Sequence, residues 1–254
     1  MIKNVKADIY QLGECEPGAN GHEAVHAYAI LNQGAPLLID CGSHLHTRSI
    51  MADLESLLGE DSPAYIFLTH SELPHAGNLR SVIGKWPHIH FLVSHVMLPY
   101  IEIAPVVPQD QIHVVAPGKV LELAGRRLVF LSALLKDQPG SHWIYDPETR
   151  SLFTGDGFGY YHEAGACQRF SNEIEGGIRV DQFSTFHENA FRFLRWVVPE
   201  KLFADLDQLF ARYSIEVIAP THGNAIFDVE THLSRLKTAI REIHAGFEAV
   251  EPEG

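Results

Sequence analysis

The 254-residue sequence predicts an α/β fold of two sheets with helices packed on the outside. Two observations carry this reading. Short β-type apolar runs alternate along the whole chain with stretches of helical spacing. No linker, repeat or low-complexity segment divides it, so residues 1–254 are read as one domain. Strand order is not legible in such a pattern.

The elements follow in order. "ADIYQL", "HAYAIL" and "PLLIDCG" read as strands bounded by turn-type residues. In "TRSIMADLESLLG", Ile50, Met51, Leu54, Leu57 and Leu58 recur at helical spacing and Gly59 supplies a stop. "AYIFLTH", "AGNLRSVIGKW" and "IHFLVS" repeat the alternation as strand, helix and strand. "KVLELAG" and "RRLVFLSAL" flank Gly125 as a hairpin, and "SHWIYDPETRSLFTGD" is strand, turn at Asp146-Pro147, strand. From Asp181 to Tyr213 the pattern is helical; "IEVIAPTHGN" is a last strand and "DVETHLSRLKTAIREIHAGFEAV" a closing helix. The aromatic residues of the helical insert, Phe183, Phe186, Phe191, Phe193 and Trp196, either cover the core or form a dimer face.

Composition excludes several functions. Hydrophobic residues make up 46% and charged residues 20%, as in ordinary globular chains. A formal net charge of −13, with no Lys/Arg cluster, argues against nucleic acid and anionic membrane surfaces as partners. No apolar run approaches the roughly 18 residues of a membrane span, and "MIKNVKADIYQLGE" lacks the apolar core of a secretory signal. The three cysteines, Cys15, Cys41 and Cys167, lie far apart without paired spacing. That argues against a disulfide framework or a zinc ribbon and for a reduced, cytoplasmic protein.

The chemistry is concentrated at strand ends. Sixteen histidines are present, and most, such as His88, His90, His187, His232 and His244, read as packed or solvated. Others stand with acids on loops that follow apolar β sequence: His70, Glu72 and His75; Asp137 and His142; Asp156; His222. Imidazole and carboxylate are ligands for zinc and non-haem iron, and a carboxylate can bridge two cations. Asp40, closing "PLLID", is either an acceptor for an imidazole N–H or a loop cap. His162 and Glu163 lie on the loop after Asp156, where a polar loop needs no metal to explain it.

Together "LLIDCG", "THSELPHAGN", "PGSHWIYDPETRSLFTGD" and "IAPTHG" resemble the metallo-β-lactamase superfamily over nearly the whole chain. Glu72 gives the first motif the H-x-E form of the flavodiiron branch rather than the H-x-H form of the hydrolases. The resemblance implies an αββα sandwich with a dinuclear site at one edge of the sheets. By resemblance His70, Glu72 and Asp156 bind the first metal, and His75, Asp156 and His222 the second. The remaining first-metal ligand is Asp137 or His142, with Asp137 favoured by the alignment. Asp137 would enrich the site in carboxylate, which suits iron or manganese better than a histidine-rich zinc site would. Pro74 stands where the family has an aspartate ligand, so the second metal is expected to bind more weakly.

The resemblance implies a non-haem diiron protein that binds or reduces a small diatomic such as O2. No phosphate-cradling glycine loop for flavin is read within the chain, so electrons are expected from a separate flavin or electron-transfer protein. Without such a donor, the expected role is an oxygen sensor or carrier. The alternatives are a zinc-dependent hydrolase of an ester, thioester or lactam, and a non-enzymatic descendant with a structural site. Glu72, Pro74 and Asp137 count against the hydrolase. Flavodiiron relatives imply a homodimer.

Overall fold

The computed structural model describes residues 2–101 and 107–248. Residues 249–250 of the expected closing helix lie outside the described residues.

One sheet holds seven strands in sequential order: β1 (Lys3–Lys6), β2 (Ile9–Gly18), β3 (Gly21–Ile30), β4 (Leu37–Ile39), β5 (Tyr65–Phe67), β6 (His90–Ser94) and β7 (Ile112–Val115). The pairs from β1 to β4 are antiparallel, and those from β4 to β7 are parallel. The other sheet holds β8 (Val120–Leu123), β9 (Arg126–Ser132), β10 (His142–Asp146), β11 (Ser151–Gly155) and β12 (Val217–Pro220), ordered β12-β11-β10-β9-β8. The β8–β9 hairpin turns through Ala124 and Gly125, both at positive φ, the two-residue turn that suits strand twist.

Strand periodicity explains how the layers separate. Successive side chains point to opposite faces, so each strand feeds two cores. Ile39, Phe67 and Leu92 from one sheet meet Phe130, Ile144, Phe153 and Val217 from the other, forming the layer between the sheets. Their neighbours Leu38, Ile66, Phe91 and Val93 face outward instead, against α1 (Thr47–Leu58) and α3 (Leu79–Lys85). On the opposite side Trp143, Tyr145, Leu152 and Ile218 pack against α4 (Val180–Ala190), α5 (Pro199–Arg212) and α6 (Val229–Glu248). The expected αββα sandwich is observed.

Two stretches differ from the sequence reading. The β2–β3 hairpin runs on to Gly18 and Gly21, because backbone pairing continues through a polar tip with no apolar alternation to mark it. "IHVV" forms β7, and a four-residue turn of helix, α2 (Leu73–Ala76), precedes α3. The insert's Phe183, Phe186 and Phe191 are buried against the second sheet, whereas Trp196 remains 67% exposed.

Candidate metal centre

Four segments converge at one end of the sandwich, each leaving the end of a strand. Beyond β5, His70 is buried, Glu72 begins α2 with extended backbone, and His75 lies fully buried within it. Pro74 occupies the first turn of α2, a position where its missing N–H and fixed φ cost nothing. Asp137 comes from the loop after β9, Asp156 follows β11, and His222 follows β12. Glycine makes two of these approaches possible. Gly155 has φ 57°, and a Cβ there would stand 2.9 Å from Thr69 Oγ1; Gly223 has φ 99°, and its Cβ would stand 2.5 Å from the Tyr160 ring.

Asp156 is the centre of the arrangement. Its Oδ1 lies 2.8 Å from His75 Nε2, 3.4 Å from His222 Nε2 and 3.7 Å from His70 Nε2. Asp137 Oδ2 lies 3.4 Å from His70 Nε2. One donor atom each from His70, Glu72, Asp137 and Asp156 falls within 4.8 Å of the others, and so does one each from His70, His75 and Asp156. His142 does not join them: it opens β10 and gives Nδ1–H to Gly140 O at 2.6 Å. His162 stands away as well, with its Nε2 against Cys15 Sγ, and Glu163 pairs with Arg179.

Outward-facing nitrogens are fixed by carboxylates that the sequence only half disclosed. His75 Nδ1–H donates to Asp40 Oδ2 at 2.7 Å. Asp40 also accepts from the Thr69 N–H and hydroxyl, and from the Thr221 hydroxyl 181 positions away. It adopts a left-handed φ of 56° to do so. His222 Nδ1–H donates to Glu23 Oε1 at 2.7 Å. Nothing local to Glu23 flags this role; only the pairing of β3 with the β12 loop brings it there. Gln138 gives its amide to Glu72 and accepts from Ser71, tying the exposed carboxylate to the Asp137 loop.

Charge distribution follows from burial and neighbours. Burial and the nearby His75 push His70 down to about 4, so it is a neutral imidazole. Burial opposes charge on His75, but Asp40 and Asp156 on either side outweigh it and raise the ring to about 10. Burial would raise Asp156, yet His222, His75 and His70 hold its carboxyl well below the usual range. Burial and the adjacent Asp156 raise Asp137.

The donor set fits a metal ion on one structural ground. His70 Nε2, His75 Nε2, Asp137 Oδ2 and Asp156 Oδ1 are all buried, and they face one another with no hydrogen-bond partner outside the cluster. Buried donor atoms that converge only on one another are costly in a folded chain unless a cation, a shared proton or a metal ion, lies between them.

Known proteins are similar to this chain over most of its length. A 29% identical stretch of 203 residues aligns with a coenzyme F420H(2) oxidase of Methanothermobacter marburgensis, covering 78% of this chain and 49% of that protein. An anaerobic nitric oxide reductase flavorubredoxin of Enterobacter sp. is 25% identical over 76% of this chain and 39% of its own length. The chain thus spans about half or less of the curated relatives it matches. Among solved structures, rubredoxin oxygen:oxidoreductase from Desulfovibrio gigas superposes with a TM-score of 0.75 at 19% identity, over 98% of this chain and 62% of the other. The flavodiiron protein from Giardia intestinalis gives 0.74 at 17%, over 98% and 60%. Residues 24–223 match the model of the ODP family beta lactamases, and the chain belongs to that family.

Proposed function

We propose that residues 1–254 act as one metallo-β-lactamase-like domain holding a non-haem diiron centre that binds or reduces a small diatomic, O2 or NO. The observation that carries it is the set of four buried donor atoms, that of Asp156 included, which converge with no partner outside the cluster. His70, Glu72, Asp137 and Asp156 would hold one ion, and His75, Asp156 and His222 the other. The carboxylate share of that donor set favours iron over zinc. The named relatives, an F420H(2) oxidase and nitric oxide reductases, support the gas chemistry.

When bound, a pair of ferrous ions supplies electrons to a diatomic ligand. The chain's own residues do the rest. Asp40 and Glu23 keep the protons of His75 and His222 on Nδ1, which leaves each Nε2 turned towards Asp156. Phe186 lies against the His222 ring at 5.2 Å, closing the helical side of the site. Glu72 is exposed, so its side is the approach from solvent. Pro74 offers no donor, which leaves the second ion three protein ligands and the weaker hold.

Electrons are proposed to come from a separate flavin or electron-transfer protein, and the chain to work as a homodimer in the reduced environment of the cytoplasm. Among the described residues no helix is long and apolar enough to cross a membrane. The test is elemental analysis after expression with iron and zinc both available, followed by exposure of the reduced protein to O2 or NO. Iron in excess of zinc and stoichiometric gas uptake are expected. Zinc alone, with hydrolysis of a thioester or lactam, would replace this reading with the hydrolase.

A further inference from the structure

A second cluster of metal-ligating side chains lies apart from the carboxylate-rich centre. Cys15 on β2 and Cys167, 152 positions later, face each other with sulfurs 2.9 Å apart. His22 Nδ1 lies 3.5 Å from Cys15 Sγ and 3.2 Å from Cys167 Sγ, and these three donors fall within 4.8 Å of one another. His162 Nε2 lies 3.1 Å from Cys15 Sγ. Its ring is 2% exposed and its other nitrogen has no partner.

We propose that Cys15, His22, His162 and Cys167 form a second metal site that takes one Zn2+ ion in a Cys2His2 tetrahedron.

Donor chemistry selects the ion. Two thiolates and two imidazoles suit a borderline, redox-inert cation that accepts four-coordinate geometry, whereas carboxylate-rich iron sites lack sulfur. A sulfur separation of 2.9 Å is far beyond a disulfide bond of about 2.05 Å. Zinc–sulfur and zinc–nitrogen bonds of about 2.3 and 2.0 Å give tetrahedral edges of roughly 3.3–3.8 Å. Cys15, His22 and Cys167 therefore need to shift by less than about 1 Å to admit the ion, and the His162 ring, whose Nε2 meets Cys15 alone among these donors, swings in to complete the tetrahedron. Binding converts both thiols to thiolates and releases two protons to solvent, leaving a site of zero net charge. An entry path exists: His22 and His162 line an open pocket of about 210 Å³.

The backbone is already arranged for it. His22 and His162 exchange both main-chain hydrogen bonds, at 2.7 and 2.9 Å, which fixes the two rings side by side. An ion here would fasten the β2–β3 tip to the loop that follows Asp156. It would also anchor His22, whose next neighbour Glu23 orients His222. Occupancy at this site is therefore expected to steady one ligand of the other.

Cobalt distinguishes the two centres, because only this one contains sulfur. Reduced full-length protein titrated with Co2+ should develop one equivalent of thiolate-to-cobalt charge-transfer absorption, bleached by Zn2+. Cys15→Ser and Cys167→Ser should each abolish it, and Asp137→Ala should leave it. In unmodified protein, Zn2+ should shield Cys15 and Cys167, mapped by mass spectrometry, from alkylation at least tenfold; this arm does not depend on the variants folding. Absence of the band, alkylation unaffected by saturating Zn2+, or a Cys15–Cys167 disulfide whose reduced form takes up no ion would overturn the proposal.

Discussion

Replacing Asp40 by asparagine should disable a metal ligand that asparagine never touches. Asp40 Oδ2 is the meeting point of three donors: the Thr69 hydroxyl, the Thr221 hydroxyl and His75 Nδ1–H. Oδ1 takes the Thr69 N–H, which can only donate, so the asparagine carbonyl must stay there and its NH2 must face the other three. Both hydroxyls can rotate and accept. His75 can accept at Nδ1 only by carrying its proton on Nε2, the atom directed at Asp156. The variant should therefore lose the Nε2 lone pair. Disrupted partners of metal-binding histidines cost about 10–100-fold in affinity. That corresponds to about 1.4–2.7 kcal/mol. Loss of one or two charge-assisted hydrogen bonds should also lower apo stability by about 2–5 kcal/mol, a large share of an ordinary domain's total. Chelator competition measures the first effect, and thermal or urea unfolding of metal-free protein the second. A folded Asp40→Asn protein with metal affinity within twofold of the parent would refute the tautomer argument.

Three further outcomes are expected. Asp137→Ala should lower metal occupancy more than His142→Ala under limiting iron, since only Asp137 aims an unpartnered oxygen at His70; elemental analysis of both variants decides it. Pro74→Asp should tighten the more weakly held ion in a chelator titration while lowering the melting temperature only slightly, because releasing the proline constraint costs about 0.4–1 kcal/mol. Acid should destabilise the fold well above the carboxylate range: burial lowers His26 to about 3 and His187 to about 4, while both titrate near 6.5 when unfolded. Their folded values are depressed, so stability is full above pH 6.5. It falls as pH drops towards 4, by up to about 1.4 kcal/mol per unit for each ring. Urea midpoints from pH 7 to 4 should decline accordingly, and less steeply in His26→Gln.

Period-two alternation made the strands legible: Leu92 of "IHFLVS" and Leu128 and Phe130 of "RRLVFLSAL" enter the layer between the sheets, while Phe91, Val93, Val129 and Leu131 meet the helices outside. His70, Glu72 and His75 were visible because they are close in sequence. Asp40 was visible as a candidate because it ends a strand. Glu23 was not, since its partner His222 lies 199 positions away and nothing in "GHEAV" marks a functional acid. The closeness of two cysteines was hidden for the same reason. Counted along the chain, Cys15 and Cys167 have no spacing; folded, the β3–loop bridge between His22 and His162 puts both on one small site. A residue type that coordinates metals is legible from sequence only when its companions are local, or when a known pattern supplies the distant ones.

The position of Asp156 carries a consequence for how the protein comes into being. Its companions arrive from segments that span most of the chain, and Asp40 meets Thr221 only after both sheets have closed on each other. Closing such long loops comes late on a folding path, because their entropy must be lost before any contact returns it. Before then a metal ion finds only His70, Glu72 and His75 near one another on the chain, and the complete cradle forms with the closed sheets. In the metal-free fold, His75, raised to about 10 between Asp40 and Asp156, supplies a positive charge in the ion's place. Loading is then an exchange, cation in and proton out, performed on a finished protein. Its rate should follow the pH and the supply of metal, not the rate of folding.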